Sequence, residues 1–236
     1  MELIEKKSEK IQFTIEASST LLNSIRRYIN QIPVSAIDEL EISKNDSPLY
    51  DETIAHRVGL IPIKNSAKEG EKVKLEVKKE GIVYSEDLKG NIEVAYKKIP
   101  ITLLDKNQEL AFTGILKKNK GTKHSKFSPG LMFYRDVFEV KIDKNCPKEV
   151  ISFCPKNILK LKDGKIIVEE DFKCDFCESC TDYCKKNGKE GIEIIPTKNL
   201  LVTIESFGQM NPSEIFQKAI ETLKKDLSEF SKTLKK

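Results

Sequence analysis

Nowhere in these 236 residues does an apolar run approach the length of a bilayer span, roughly 20 residues. No membrane helix is therefore expected, and the cytoplasm is the expected location. The opening MELIEKKSEK is charged where a secretory leader would be apolar. No P-loop, no G-x-G-x-x-G turn and no other flavin or nicotinamide signature occurs, so nothing in the chain announces a nucleotide or redox-cofactor enzyme. A strong excess of one charge is missing too. The 41 basic and 37 acidic side chains leave +4 and are interleaved, whereas a nucleic-acid-binding module would cluster Lys and Arg beside stacking aromatics. Trp is absent altogether, and that absence carries no functional message. What remains, 33% charged and 39% hydrophobic residues, describes a soluble globular chain with length for one large or two small domains.

Cysteine is rare outside one stretch. All six lie between residues 146 and 184, and four form the run Cys174-x2-Cys177-x2-Cys180-x3-Cys184. The run resembles the bacterial ferredoxin pattern, in which the fourth cysteine precedes proline and, in two-cluster proteins, ligates the other cluster. Here Lys185 follows the run, whereas the remote Cys154 precedes Pro155. The assignment is therefore Cys154, Cys174, Cys177 and Cys180 around one 4Fe-4S cluster, with Cys184 as the alternative ligand. A second cluster would need ligands at Lys144, Pro147 and Val150, none of which can bind iron. Cys184 then has no cluster to serve and Cys146 is out of register, which leaves open a 3Fe-4S form or a bond between spare cysteines. Zinc competes, although it ordinarily takes two C-x2-C knuckles a dozen or more residues apart. A disulfide framework would suit a small secreted chain better than this one.

Along the chain, residues 11–16 (IQFTIE) alternate as a half-buried strand, and Ser18 or Ser19 can cap a following helix. That helix carries Leu21, Leu22, Ile25, Tyr28, Ile29 and Ile32 as one stripe, flanked by Arg26 and Arg27, and stops before Pro33. A strand over 34–42, a helical DETIAHRVG and short strands including KVKLEVKK and NIEVAY follow, with turns at Gly70, Gly81 and Gly90. Asp163-Gly164 between ILKLK and KIIVEE predicts a tight hairpin that brings Cys154 back toward the cysteine run. EIIP and NLLVTIESF read as strands. A last helix runs from Pro212 to about Lys235, with Asn211 as cap and Glu214 three residues on. Its stripe includes Ile215, Phe216, Ala219, Ile220, Leu223, Leu227, Phe230 and Leu234. Periodicity alone does not say whether that stripe faces an internal core or a partner.

Taken in order, NSIRR at 23–27, VSAIDELEI, Asp51-Glu52 through HRVGLIPI at 56–63, VYSEDLK at 83–89, GTKHSKFSPG at 121–130 and IESFGQMNPSEI at 204–215 resemble one family. It is that of the archaeal RNA polymerase D subunit, counterpart of the third subunit of eukaryotic RNA polymerase II and of the N-terminal domain of the bacterial alpha subunit. The resemblance covers nearly the whole chain. It implies an α+β fold with a discontinuous dimerisation domain (1–47 and 190–236), an inserted mostly-β domain (48–145) and a ferredoxin-like iron-sulfur subdomain (146–189). It further implies a heterodimer with the small L subunit, joined by the N and P subunits, as the platform for the two largest subunits. Arg26, Arg27, His56 and Arg57 fall in stretches the family uses near a large subunit, and Phe216, Ile220, Leu223 and Leu227 stand on the helix expected to face the L subunit. The D-x-D-x-D metal cluster of the catalytic largest subunit is missing, so the chain is expected to organise nucleotidyl transfer without catalysing it. The reading from a different class is an iron-sulfur electron carrier or redox sensor.

Overall fold

The computed structural model describes residues 1–143, 146–188 and 191–234. Lys144, the boundaries expected at 145 and 189–190, and Lys235 lie outside the described residues. The chain is a mixed α/β protein that divides into two units. One comprises Met1–Glu5, Gln12–Leu22 and Phe133–Thr203, the other Lys6–Ile11, Asn23–Met132 and Ile204–Lys236.

The second unit is built on strands whose side chains alternate as written in the sequence. Lys72–Val77 and Leu110–Lys120 bury every other residue, and both pair antiparallel with their neighbours, Leu75 opposite Phe112 and Ile37 opposite Leu116. Gly114 sits where a Cβ would come within 2.8 Å of the Ile37 side chain, so glycine is what lets strand Pro33–Asn45 close down on its partner. Helix Asp51–Gly59 lays Ile54 and Val58, both fully buried, into this aliphatic core. A two-stranded ribbon, Gly81–Tyr84 with Pro100–Leu104, adds Val83, Ile101 and Leu104.

Two expectations fail in this unit. NIEVAY is not a strand: Val94 makes one isolated bridge to Ile63. The neighbouring backbone bonds join Ala95 N–H to the Pro62 carbonyl and Lys64 N–H to that of Glu93, so its partner is an irregular segment that cannot propagate a ladder. The first helix, Ser19–Tyr28 followed by a 3₁₀ turn at Ile29–Gln31, buries Leu22, Ile25, Ile29 and Ile32 but leaves Leu21 half-exposed. Leu21 stands one residue before Leu22 and hence about 100° around the axis. The start is as expected, the Leu21 N–H donating to the Ser18 hydroxyl at 3.2 Å.

In the other unit, strands Glu2–Lys6, Lys10–Glu16, Ile192–Ser206 and Gly130–Ile142 form a sheet in that order. EIIP and NLLVTIESF merge into one strand across Pro196, which has no N–H to donate. The Thr197 hydroxyl donates instead to the Val137 carbonyl at 2.7 Å. The predicted hairpin forms, with Leu159–Lys162 antiparallel to Lys165–Val168, and its turn residues Asp163 and Gly164 take φ of 49° and 76°.

Candidate functional site

The cysteines are gathered by four short elements. A 3₁₀ helix, Lys148–Phe153, delivers Cys154, the hairpin turns the chain back, and a 3₁₀ turn at Asp171–Lys173 presents Cys174. Phe176 and Glu178 then adopt left-handed backbone angles, φ 59° and 58°, which coil the loop around Cys177 before helix Ser179–Lys186 carries Cys180 and Cys184. Side chains need support to hold that region of backbone space, and stacking supplies some of it. Phe176 stacks on Phe138 with ring centroids 4.8 Å apart, and Phe153 on Tyr183 at 4.0 Å. Each pair places a ring beside a cysteine in sequence. The Arg135 guanidinium donates to the carbonyls of Phe172 and Cys174, holding the entry to the loop.

Cys154, Cys174, Cys180 and Cys184 are buried, Cys177 is exposed and Cys146 is half-buried. Burial pushes the Cys174 thiol up, and the neighbouring Cys177, Asp175 and Cys154 add to the rise. Burial likewise pushes Cys180 up to about 11, with Cys154 and Cys174 adding. Cys154 thus neighbours both Cys174 and Cys180, and Cys177 neighbours Cys174. Cys146 is pushed up to about 12, first by burial and then by the neighbouring Cys184 and Cys180, and its thiol donates to the Pro147 carbonyl at 3.9 Å. Val150, at one of the positions where a second cluster would need a ligand, is fully buried in the aliphatic part of the same core.

Among the described residues no three His, Cys, Asp or Glu side chains are placed to hold one metal ion. A single tetrahedral zinc draws its sulfurs to about 2.3 Å from one point. A cluster presents a different iron to each ligand and spreads them. Four soft thiols, three of them buried among Val140, Ile158 and Leu159, suit the wider group. A positively charged iron core would offset the burial that raises Cys174 and Cys180.

The residues expected to meet partners fall in three places of the second unit. Arg26 and Arg27 are exposed and share a cavity of about 550 Å³ with Asn30, Thr122 and Leu223; Arg26 also donates to the Asn23 side-chain oxygen at 2.9 Å. His56 is exposed, whereas Arg57 is partly committed to its own fold, donating to the Ile101 carbonyl at 2.9 Å. The last helix, Pro212–Leu234, spans about 34 Å at 1.5 Å per residue. Its first half is internal: Ile215 and Ala219 are fully buried, and Phe216, Ile220 and Leu223 half-buried. Its second half is bare, with Leu227 57%, Phe230 62% and Leu234 72% exposed. The neighbouring Asp226 raises the pKa of the Tyr28 phenol, near the point where the helix's apolar face emerges. Sequence reasoning missed Arg135 and Tyr28, because neither partner lies within a motif's reach along the chain.

The family described as the RNA polymerase Rpb3/RpoA insert domain matches residues 36–132. The chain is 30% identical to the DNA-directed RNA polymerase subunit Rpo3 of Archaeoglobus fulgidus, the match covering 99% of this chain and 97% of that one. It is also 30% identical to the protein so named in Pyrococcus furiosus, covering 100% and 97%. With its counterpart in Methanocaldococcus jannaschii it shares 37% identity over 57% of this chain and 73% of that one.

Proposed function

Because the chain belongs to the family of the archaeal DNA-directed RNA polymerase subunit Rpo3, we propose that it is a non-catalytic assembly subunit of such a polymerase, equivalent to the archaeal D subunit. Its partners in this reading are a small alpha-like L subunit, with which it forms a heterodimer, the N and P subunits, and the two largest subunits. The dimerisation domain joins 1–47 to 190–236 around the inserted segments, and the assembly works in the cytoplasm. Among the described residues no helix is long and apolar enough to cross a membrane.

The observation that carries the proposal is the last helix, whose apolar stripe runs out of its own core halfway along. Leu227, Phe230 and Leu234 continue the line of Ile215, Ile220 and Leu223 into solvent, which a monomer would rarely tolerate on so long a terminal element. Arg26 and Arg27 stand beside Leu223 at the edge of this face. Loss of one leucine from such a seam, on the order of 3 kcal/mol, weakens binding about a hundredfold. Leu227→Asp should do more, since it places an unpaired charge in the seam, yet it disturbs little of the chain's own core. In co-expression with the L subunit, size exclusion should show the wild-type heterodimer and a separated Leu227→Asp chain that remains folded. An intact heterodimer carrying both Leu223→Asp and Leu227→Asp would place the seam elsewhere.

One iron-sulfur cluster, 4Fe-4S or 3Fe-4S, completes the reading, held by Cys154, Cys174, Cys177 and Cys180. It would cross-link the hairpin, the loop and the short helix, a structural task for a segment with few large apolar side chains. Iron and sulfide quantification after anaerobic purification tests it, with Cys154→Ser expected to lose iron and Cys184→Ser to retain it.

A further inference from the structure

The ribbon of Gly81–Tyr84 with Pro100–Leu104 buries Val83 and Leu104, each 1% exposed, and turns two large apolar side chains outward. Ile82 and Leu103 stand directly opposite each other across its strands and are 50% and 56% exposed. They line a cavity of about 360 Å³ with Pro48, Leu49 and Pro100. A second cavity, of about 540 Å³, adjoins the first through Pro48 and Leu103. The two together follow the strand from Pro100 to Asp105, roughly 17 Å at about 3.3 Å per residue. The ends of this groove differ in charge. Arg57 lines the first cavity, one of its guanidinium nitrogens donating to the Ile101 carbonyl at 2.9 Å, whereas Glu80 and Asp105 line the second. Among the described residues none of these three has an ion-pair partner. Thr102 also lines the first cavity; it is 5% exposed, and its buried hydroxyl has no hydrogen-bond partner among the described residues. Buried hydroxyls are ordinarily paired, so this wall is incomplete as it stands.

We propose that this groove binds a short extended segment of a partner protein, with a carboxylate at one end, a branched aliphatic side chain in the middle and a lysine or arginine at the other. Alternate residues of an extended segment face the same way, so the first, third and fifth of five residues enter the groove together, their outer two about 13 Å apart. That span falls within the length of the groove. The aliphatic side chain covers Ile82 and Leu103, the carboxylate meets the guanidinium N–H groups that the Ile101 carbonyl leaves available, and the basic group meets Glu80 and Asp105. A backbone N–H or C=O of the segment supplies the partner that the Thr102 hydroxyl lacks. Apolar cover gives the affinity, and the two charged ends decide which segment fits.

The inference deepens the expectation that Arg57 meets a partner by giving that partner's chemistry, and it rests on that reading alone. The probe is a fluorescein-labelled peptide, Asp-Thr-Leu-Thr-Lys with blocked termini, titrated with the full-length chain and followed by anisotropy. Saturable binding is expected, with peptides carrying Lys at both ends or Asp at both ends each weaker by about tenfold. Leu103→Ser, a change at a half-exposed position, should weaken binding by about tenfold through lost apolar contact. Arg57→Gln keeps a donor for the Ile101 carbonyl and removes the charge; it should weaken the Asp peptide but make its Asp→Asn version no weaker still, as expected of two groups that act on each other. If Arg57→Gln fails to fold, the Asn peptide against the wild-type chain reports the same contact. Leu227→Asp should bind the peptide as the wild type does, so failure of the heterodimer seam and failure of the groove are separate results. No saturable binding, equal affinity for the three charge patterns, or unchanged affinity in Leu103→Ser would each overturn the proposal. So would a dimer of the isolated chain that Leu103→Ser separates, which would make a second copy the occupant.

Discussion

The aliphatic core around Ile54 and Leu116 and the cysteine-lined core around Val150 and Leu159 are packed with different chemistry. The first buries Ile, Leu, Val and Phe from strands and a helix that already pair through backbone ladders. In the second, half the buried side chains are cysteines, carried at the ends of 3₁₀ turns and on an eight-residue helix. A buried leucine removes a large apolar surface from water by itself, about 1.5–3 kcal/mol. A thiol removes little, so elements this short need cross-links to stay in place. Burial makes that need sharper, since it raises the Cys174 and Cys180 thiols, a cost that the proposed cluster's positive charge would offset. One region is thus stable through area, whereas the proposed cluster would hold the other through bonds.

The most severe test of this contrast is Cys174→Ser. Hydrogen-exchange protection over 146–188 should fall to the level of an unfolded segment, while amides of the aliphatic core keep native protection. Full protection of the cysteine segment in an iron-free chain would remove the distinction. Next in size is Leu116→Ala: the side chain is fully buried, so urea denaturation should show a loss of about 2–5 kcal/mol with the iron content untouched. A loss of iron in that variant would mean that the two cores are one cooperative structure.

The smallest effect tests electrostatics where the first core meets solvent. Lys126 lies 2.6 Å and Lys117 3.4 Å from the Asp38 carboxylate, and these ammonium partners hold its pKa below the usual carboxylate value. A carboxyl with a depressed folded pKa adds stability above its unfolded pKa of about 3.9 and loses it as pH falls through the folded value. Asp38→Asn should therefore cost about 1 kcal/mol at neutral pH and nothing once the wild-type carboxyl is protonated. Equal stability of the two chains at pH 7 would show that the pair contributes nothing.

Much of this molecule is written locally. The Asp163-Gly164 turn, the alternation in KVKLEV, the helix DETIAHRVG and the cap before the first helix each depend on residues within a few positions, and all appear where the sequence places them. Cysteine spacing puts Cys174 and Cys177 on one loop and Cys180 in the first turn of the helix that follows. Local pattern fails where a partner is remote or irregular. NIEVAY has the composition of a strand but meets a segment without a free ladder, and Leu21 has the right chemistry at the wrong angle. Periodicity in the last helix is uniform, so only the fold divides it into the buried Ile215 and Ala219 and the bare Leu227, Phe230 and Leu234. The Arg135 clamp on the Phe172 and Cys174 carbonyls and the nearness of Asp226 to Tyr28 belong wholly to the tertiary structure. Dihedral preference and hydrophobic period act over neighbouring residues, whereas these contacts join stretches far apart in the chain, and nothing in either stretch names the other until the packing of everything between them has placed it there.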